Sequence, residues 1–148
     1  MQISLNGIAQ GFITDRITDM IKNEGFEQVL VELGETRAIG LHPSKRPWSV
    51  GVKDANGLNH IYEVASLNDQ AIATSFSEGS YIDYDERIGH ALHPMTGMSN
   101  QHKWCGVSVI APTAAEADGL STALLLTDEF NIKRIEERDP RIRIVTQS

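Results

Sequence analysis

Helical periodicity at both ends of the chain, with short alternating segments between tight turns, predicts an α+β domain with a largely antiparallel sheet flanked by helices. Three observations carry this expectation. An apolar stripe recurs at helical spacing near the start, and a capped helix follows Pro112. Between them lie Val- and Leu-rich segments punctuated by Gly, Pro, Asn and Asp.

The first helix is expected over residues 6–23. Ile13, Ile17, Met20 and Ile21 recur at i, i+4, i+7 and i+8 and predict its buried stripe. Gly25 supplies a stop just past its end. Gly7 and Gly11 lie in its first turns, where glycine costs helix stability, so the backbone there is expected to be closely approached. Residues 28–33 and 36–41 read as strands on either side of Gly34. Residues 48–53 and 60–67 read as a hairpin about the Asn56-Gly57 turn signal. Residues 70–75 and 81–84 are further strand candidates, and residues 104–111 alternate up to Pro112. Thr113 and Glu116 fit a capping box that opens a helix carrying Ala117, Leu120 and Leu124 inward. A shorter helix over residues 128–138 is capped by Asp128, and residues 142–146 read as a last strand. No repeat, linker or low-complexity segment divides the 148 residues, so one domain is expected over residues 1–148.

Thirteen Lys and Arg against twenty Asp and Glu leave a net charge of −7, which argues against nucleic acid or an anionic membrane as the main partner. The single cysteine, Cys105, excludes an internal disulfide and a multi-cysteine metal site.

Few residue patterns carry chemistry. Asp118 and Thr122, four apart, share one helix face and offer oxygen ligands suited to Mg²⁺ or Ca²⁺. They read equally as an acid favoured near a helix start and an ordinary helix residue. Ser121 points about 100° away from Thr122. The Gly7–Gly11 helix start suits a phosphate on its N–H groups, but lacks the Lys-Ser/Thr ending of a P-loop. A close helix–sheet contact explains its glycines as well. His90, Leu92, His93, Pro94, Thr96 and Gly97 form a dense polar stretch. His90 and His93 are candidates for a general base or, with His60 or His102, for zinc, although the spacing fits no zinc pattern. A plain turn is the alternative. Residues 71–75 offer small side chains and two hydroxyls. Glu35 reads either as a solvated strand-edge carboxylate or as a ligand contact.

Taken in order, these segments resemble the ApbE family, the FAD:protein FMN transferases. Leu5-Asn6-Gly7-Ile8-Ala9-Gln10-Gly11-Phe12-Ile13-Thr14-Asp15-Arg16 is similar to that family's first motif. Leu33-Gly34-Glu35-Thr36-Arg37-Ala38-Ile39-Gly40, Arg46-Pro47-Trp48-Ser49-Val50-Gly51-Val52 and Ala71-Ile72-Ala73-Thr74-Ser75 resemble the next three. The stretches from His90 to Gly97 and from Val107 to Thr122 resemble the last two. The resemblance implies the C-terminal portion of the ApbE-like fold. It also implies metal-dependent transfer of FMN from FAD to a Thr or Ser hydroxyl of a partner flavoprotein. Mg²⁺ is the metal it implies, with Ca²⁺ or Mn²⁺ as alternatives, and FAD is the substrate. Asp118, Thr122 and a backbone carbonyl near Gly7 become metal ligands, and His90 the catalytic base. Ser4, Gln10, Glu35, Leu92, Thr96 and Gly97 become contacts to FAD. Family members are often exported.

Two substitutions and one length difference qualify the likeness. Where the family has Asp before Pro, this chain has His93, and where it has Asp at the head of the first motif, this chain has Ser4. The match begins at the second half of a family member, so the missing half or a second chain is expected to complete the site. The residues alone are expected to be inactive and to self-associate. A non-catalytic flavin- or metal-binding relative and a purely structural domain are the alternatives.

Overall fold

The computed structural model describes residues 4–57, 60–77, 91–98 and 104–148. The expected strand over residues 81–84 and the candidates His90 and His102 lie outside them. Among the described residues ten elements follow in order: α1 (Ala9–Asn23), β1 (Val29–Glu32), β2 (Thr36–Ile39), β3 (Trp48–Lys53), β4 (Ile61–Leu67), β5 (Ala71–Phe76), β6 (Gly106–Ala111), α2 (Ala114–Leu125), α3 (Glu129–Arg138) and β7 (Arg143–Gln147). Five strands form one sheet in the order β1-β2-β5-β6-β7, and every neighbouring pair is antiparallel. β3 and β4 form a separate antiparallel hairpin. This is the expected α+β class.

Strand periodicity distributes the core between the two faces of the sheet. Val107, Val109 and Ala111 of β6 join Ala73 of β5 in a cluster with Ala117, Leu124 and Leu125 of α2 and Ile132 of α3. Ile72 and Ile110, one residue out of phase, pack instead with Val52, Ala65 and Leu67 of the hairpin. β6 is buried along its whole length because both faces are covered. Gln147, 2% exposed, ties the hairpin turn to β7. Its amide donates to the Lys53 carbonyl (2.9 Å), and its side-chain oxygen accepts the Ala55 N–H (2.7 Å).

The expected inner face of α1 is corrected by the structure. Gly11, Thr14 and Thr18 are its buried residues, while Ile13 and Met20 of the apolar stripe are 53% and 66% exposed. The reason is proximity. A Cβ on Gly11 would lie 2.3 Å from the Ala114 carbonyl oxygen, so α1 meets α2 backbone to backbone. Only small residues fit such a contact. Thr14 and Thr18 are buried at little cost because each hydroxyl donates to the carbonyl four residues earlier, Thr14 to Gln10 and Thr18 to Thr14. Thr18 lies on the β2 side, beside Arg37, Ala38 and Ile39. The expected close approach is therefore present at Gly11, against a helix rather than the sheet, whereas Gly7 meets only the Thr122 side chain at ordinary contact distance.

Candidate functional site

The site assembles where the start of α1, the start of β2, the middle of β5 and α2 converge. Gly34, at φ +97, turns the chain into β2 and sets Glu35 facing inward. A Cβ on Gly34 would lie 1.6 Å from Gln10 Nε2. That absence of a side chain lets Gln10 reach across, and its amide donates to the Leu33 carbonyl (3.3 Å). Asp118 sits one turn into α2 and is 7% exposed. Its Oδ2 accepts the Gly11 N–H at 2.9 Å. Thr122 lies one turn further along, and a Cβ on Gly7 would touch its Cγ2 at 3.4 Å. The Gly7 carbonyl oxygen lies 3.9 Å from the position of a Cβ on Gly119, which places it against the same stretch of α2.

These groups line a cavity of about 720 Å³. Ser4, Gly7, Gln10, Glu35, Asp118 and Thr122 contribute its polar wall, with Asn6, Thr74 and Ser75. Phe76, Ala91, Leu92 and Leu126 contribute its apolar wall. Glu35, Thr74 and Phe76 also line a second cavity, of about 400 Å³, whose far wall is β3 from Ser49 to Lys53. Of the residues expected in the site from sequence, Thr96 and Gly97 are placed apart. They form an exposed turn in which both backbone N–H groups donate to the His93 carbonyl, and they line neither cavity. His93 belongs to the same turn, its Nδ1 accepting the Met95 N–H at 3.3 Å. His90 lies outside the described residues. Phe76 and Leu126 are lining residues that no sequence pattern singled out, whereas Thr74 and Ser75 are the two hydroxyls of residues 71–75 and Asn6 lies in the first motif. Alternation along β5 was the one signal available, since Ile72, Thr74 and Phe76 share a face.

Electrostatics separate this site from the rest of the surface. Glu35 is only 9% exposed, so the reading of a solvated strand-edge carboxylate does not hold. Burial, and then the neighbouring Asp118, raise its pKa from 4.5 to about 7. Burial likewise raises that of Asp118, against the opposing hydrogen bond from Gly11. Ser121, turned away from Thr122 as its spacing predicts, is not in the cavity wall. Its hydroxyl donates to the Asp118 carbonyl (3.0 Å) and lies 2.8 Å from Ser75 Oγ. Ser75 Oγ is also 3.3 Å from Thr122 Oγ1, so a serine of β5 links both hydroxyls of α2.

The donors of the helix starts are largely used within the protein. Ile8 and Ala9 give their N–H groups to the Leu5 carbonyl, and Gly11 gives its own to Asp118. The start of α1 therefore serves Asp118 rather than a phosphate through these groups. Among the described residues, no group of three or more His, Cys, Asp or Glu side chains is placed to hold a metal ion. His60, one of the residues considered for zinc, pairs instead with Asp54 at 2.8 Å. What the cavity does hold is a hard-oxygen set: a buried carboxylate, a hydroxyl and a backbone carbonyl, with a second carboxyl nearby. That chemistry fits Mg²⁺, Mn²⁺ or Ca²⁺ and not a soft metal. A cation there would also offset the crowding of Glu35 and Asp118.

Comparison with known proteins places this geometry in context. The model of the ApbE family matches residues 1–146. The FAD:protein FMN transferase of Klebsiella pneumoniae (strain 342) is 33% identical over 127 residues, covering 84% of this chain and 36% of that protein. Its counterpart in Escherichia coli (strain K12) is 30% identical over 142 residues, 94% of this chain and 40% of that protein. The crystal structure of the ApbE protein from Thermotoga maritima matches with a TM-score of 0.85 at 30% identity, covering 98% of this chain and 48% of that one. The flavin transferase ApbE from Vibrio cholerae matches with a TM-score of 0.75 at 27% identity. This chain thus spans less than half the length of the relatives it matches. With both the family pattern and the fold shared over nearly all of its residues, the chain belongs to the ApbE family.

Proposed function

We propose that these residues carry the metal-binding and part of the flavin-binding wall of an FAD:protein FMN transferase. The observation that carries this reading is the convergence of Asp118, Thr122, the Gly7 backbone, Gln10 and Glu35 on one cavity in an ApbE-family chain. Asp118, Thr122 and the Gly7 carbonyl would hold a divalent cation, with Mg²⁺ as the first choice. When bound, the cation supplies charge neutralisation for the FAD pyrophosphate. Gln10 and Ser4 lie on the polar wall, where they meet the phosphate and ribose side of FAD. Leu92, Phe76 and Leu126 give the apolar wall a surface for a flat ring system. His90 is assigned as the base that receives the proton of the acceptor hydroxyl, a Thr or Ser of a partner flavoprotein. Thr96 and Gly97, in an exposed turn that lines neither cavity, are given no contact with FAD in this reading.

The reading divides labour by length. Transfer belongs to a protein as long as the curated relatives, and the 148 residues alone bind FAD weakly and transfer little or no FMN. Titrating the chain with FAD and following flavin fluorescence, with and without Mg²⁺, tests this. Metal-dependent binding that is lost in Asp118→Ala is the expected result. Binding that ignores both Mg²⁺ and Asp118 would refute the metal assignment. Robust FMN transfer by this chain alone would refute the division of labour. The absence of any FAD or metal effect on the melting temperature, here and in a chain of the relatives' length, would favour a domain that keeps the fold without the ligand.

A further inference from the structure

Behind the cavity, a third carboxylate, that of Asp15, has no part in the reading above. Asp15 lies one helical turn after Gly11 on α1. Its Oδ1 accepts the Ala114 N–H at 2.8 Å and its Oδ2 the Ala115 N–H at 2.9 Å. Arg37 of β2 pairs with the same carboxylate through Nη1. The side chains of Arg37 and Asp15 are 19% and 13% exposed, so the pair is largely withdrawn from water. Three elements meet on this one carboxylate, and each carries part of the cavity wall. α1 follows directly on Gly7 and carries Gln10. α2 carries Asp118 and Thr122. β2 carries Arg37 and Thr36, and Glu35 immediately precedes it, two residues from Arg37.

The contacts form a ladder between the helices. Asp15 receives two donors from the first turn of α2, and one turn earlier on α1 the Gly11 N–H is received by Asp118 one turn later on α2. The remaining first-turn donors of α2 are also engaged. Thr113 Oγ1 accepts the Glu116 N–H, and the Thr113 carbonyl accepts that of Ala117. Asp15 closes the end of α2 from outside the helix, across 99 residues of chain. A carboxylate at a helix start is favoured both by the exposed N–H groups and by the helix dipole. Here it is supplied by a different helix, so it fixes where α2 sits and not merely that α2 forms.

We propose that Asp15, braced by Arg37, is the positioning residue that sets Asp118 against Glu35 and the start of α1. Asp15 lines neither cavity and acts through its contacts with α2 and Arg37. The inference rests on the proposed function for its consequence in metal binding, but not for its structural content.

Amide hydrogen exchange by NMR on the 148-residue chain without metal tests the structural content, and titration with Mn²⁺ tests the consequence. The probe is the Gly11 N–H, whose acceptor is Asp118 Oδ2. The reference is Val107 and Val109 in the buried interior strand β6. In Asp15→Asn, protection of Gly11 should fall about tenfold or more beyond any change in the reference. Mn²⁺ affinity should fall roughly 10- to 100-fold, as for other residues that orient a ligand from behind. Arg37→Gln, which leaves the carboxylate on α2, should move both in the same direction by less. Protection at Gly11 that changes only in step with the reference overturns the proposal. If Asp15→Asn does not fold, the same comparison in Arg37→Gln decides. If neither folds, the pair is a folding element and the positioning role falls. A parent chain that binds no Mn²⁺ while Gly11 responds as expected removes the metal reading and leaves the positioning role standing.

Discussion

Replacing Glu35 by Gln separates the charge of this side chain from its shape. In the folded chain burial and Asp118 raise its pKa from 4.5 to about 7. The folded state therefore holds the proton more tightly than the unfolded state. Between about pH 4.5 and 7 it binds more protons, and stability falls as pH rises. The neutral form's contribution is fully present below the unfolded value and is lost as pH climbs through the folded one. At 1.36 kcal/mol per pKa unit, the loss has a ceiling of about 3 kcal/mol. Gln cannot ionise, so Glu35→Gln keeps that stability at high pH. Without metal at pH 8 the variant should be more stable than the parent by about 1–3 kcal/mol, and at pH 4 the two should agree to within about 0.5 kcal/mol. At this chain length, each kcal/mol corresponds to roughly 3 °C in Tm, so the pH 8 melt should rise by about 3–9 °C. Thermal and urea unfolding followed by circular dichroism, with chelator, from pH 4 to 8 would measure it. Taking the difference from the parent cancels titrations common to both proteins, apart from the share of Asp118 that responds to Glu35. A difference that does not vary with pH, or a variant less stable than the parent at pH 8, would refute the argument. Either would mean that the carboxylate is ionised and well solvated in the folded chain. Added Mg²⁺ should shrink the pH 8 difference, because a cation in the cavity favours the ionised parent.

Two further substitutions probe the close approaches. Gly11→Ala should gain up to about 1 kcal/mol in helix propensity. Its Cβ nonetheless meets the Ala114 carbonyl oxygen at 2.3 Å, and separating the helices should leave a net loss of about 1–3 kcal/mol in a thermal melt; a stabilised variant would contradict the α1–α2 contact. Gly34→Ala should cost roughly 1–2 kcal/mol for its left-handed backbone. It should also weaken FAD binding by expelling Gln10, whose amide nitrogen lies 1.6 Å from the new Cβ; unchanged FAD affinity would detach Gln10 from the ligand wall.

Local chemistry made much of the fold legible. Thr113 and Glu116 predict the start of α2, and Thr113 Oγ1 does accept the Glu116 N–H at 3.2 Å. The Glu116 carboxylate meets the Thr113 hydroxyl (3.1 Å) as it turns back. Asp128 caps α3 as expected, Gly25 ends α1 at φ +91, and Asn56-Gly57 lies in the turn between β3 and β4. The inner face of α1 was not legible. Periodicity counts apolar residues, whereas the packing that formed selects small ones that let two backbones touch. Phe12, Ile13 and Met20 are the apolar side chains of α1 left exposed by that packing.

What the sequence determined by itself is whatever acts over a few residues: helix caps, turn glycines, strand alternation, and the ordered motifs that mark the family. The i, i+4 spacing of Asp118 and Thr122 is of this kind, because one helix carries both. The tertiary structure alone decided that Glu35 is buried beside Asp118, that Gly11 donates to that carboxylate, and that Asp15 closes α2 from 99 residues away. Capping and periodicity are short-range and repeat wherever the same residues occur. Burial, and the choice of partner for each polar group, depend on which elements pack together. The proton affinity of a carboxyl group follows from that packing.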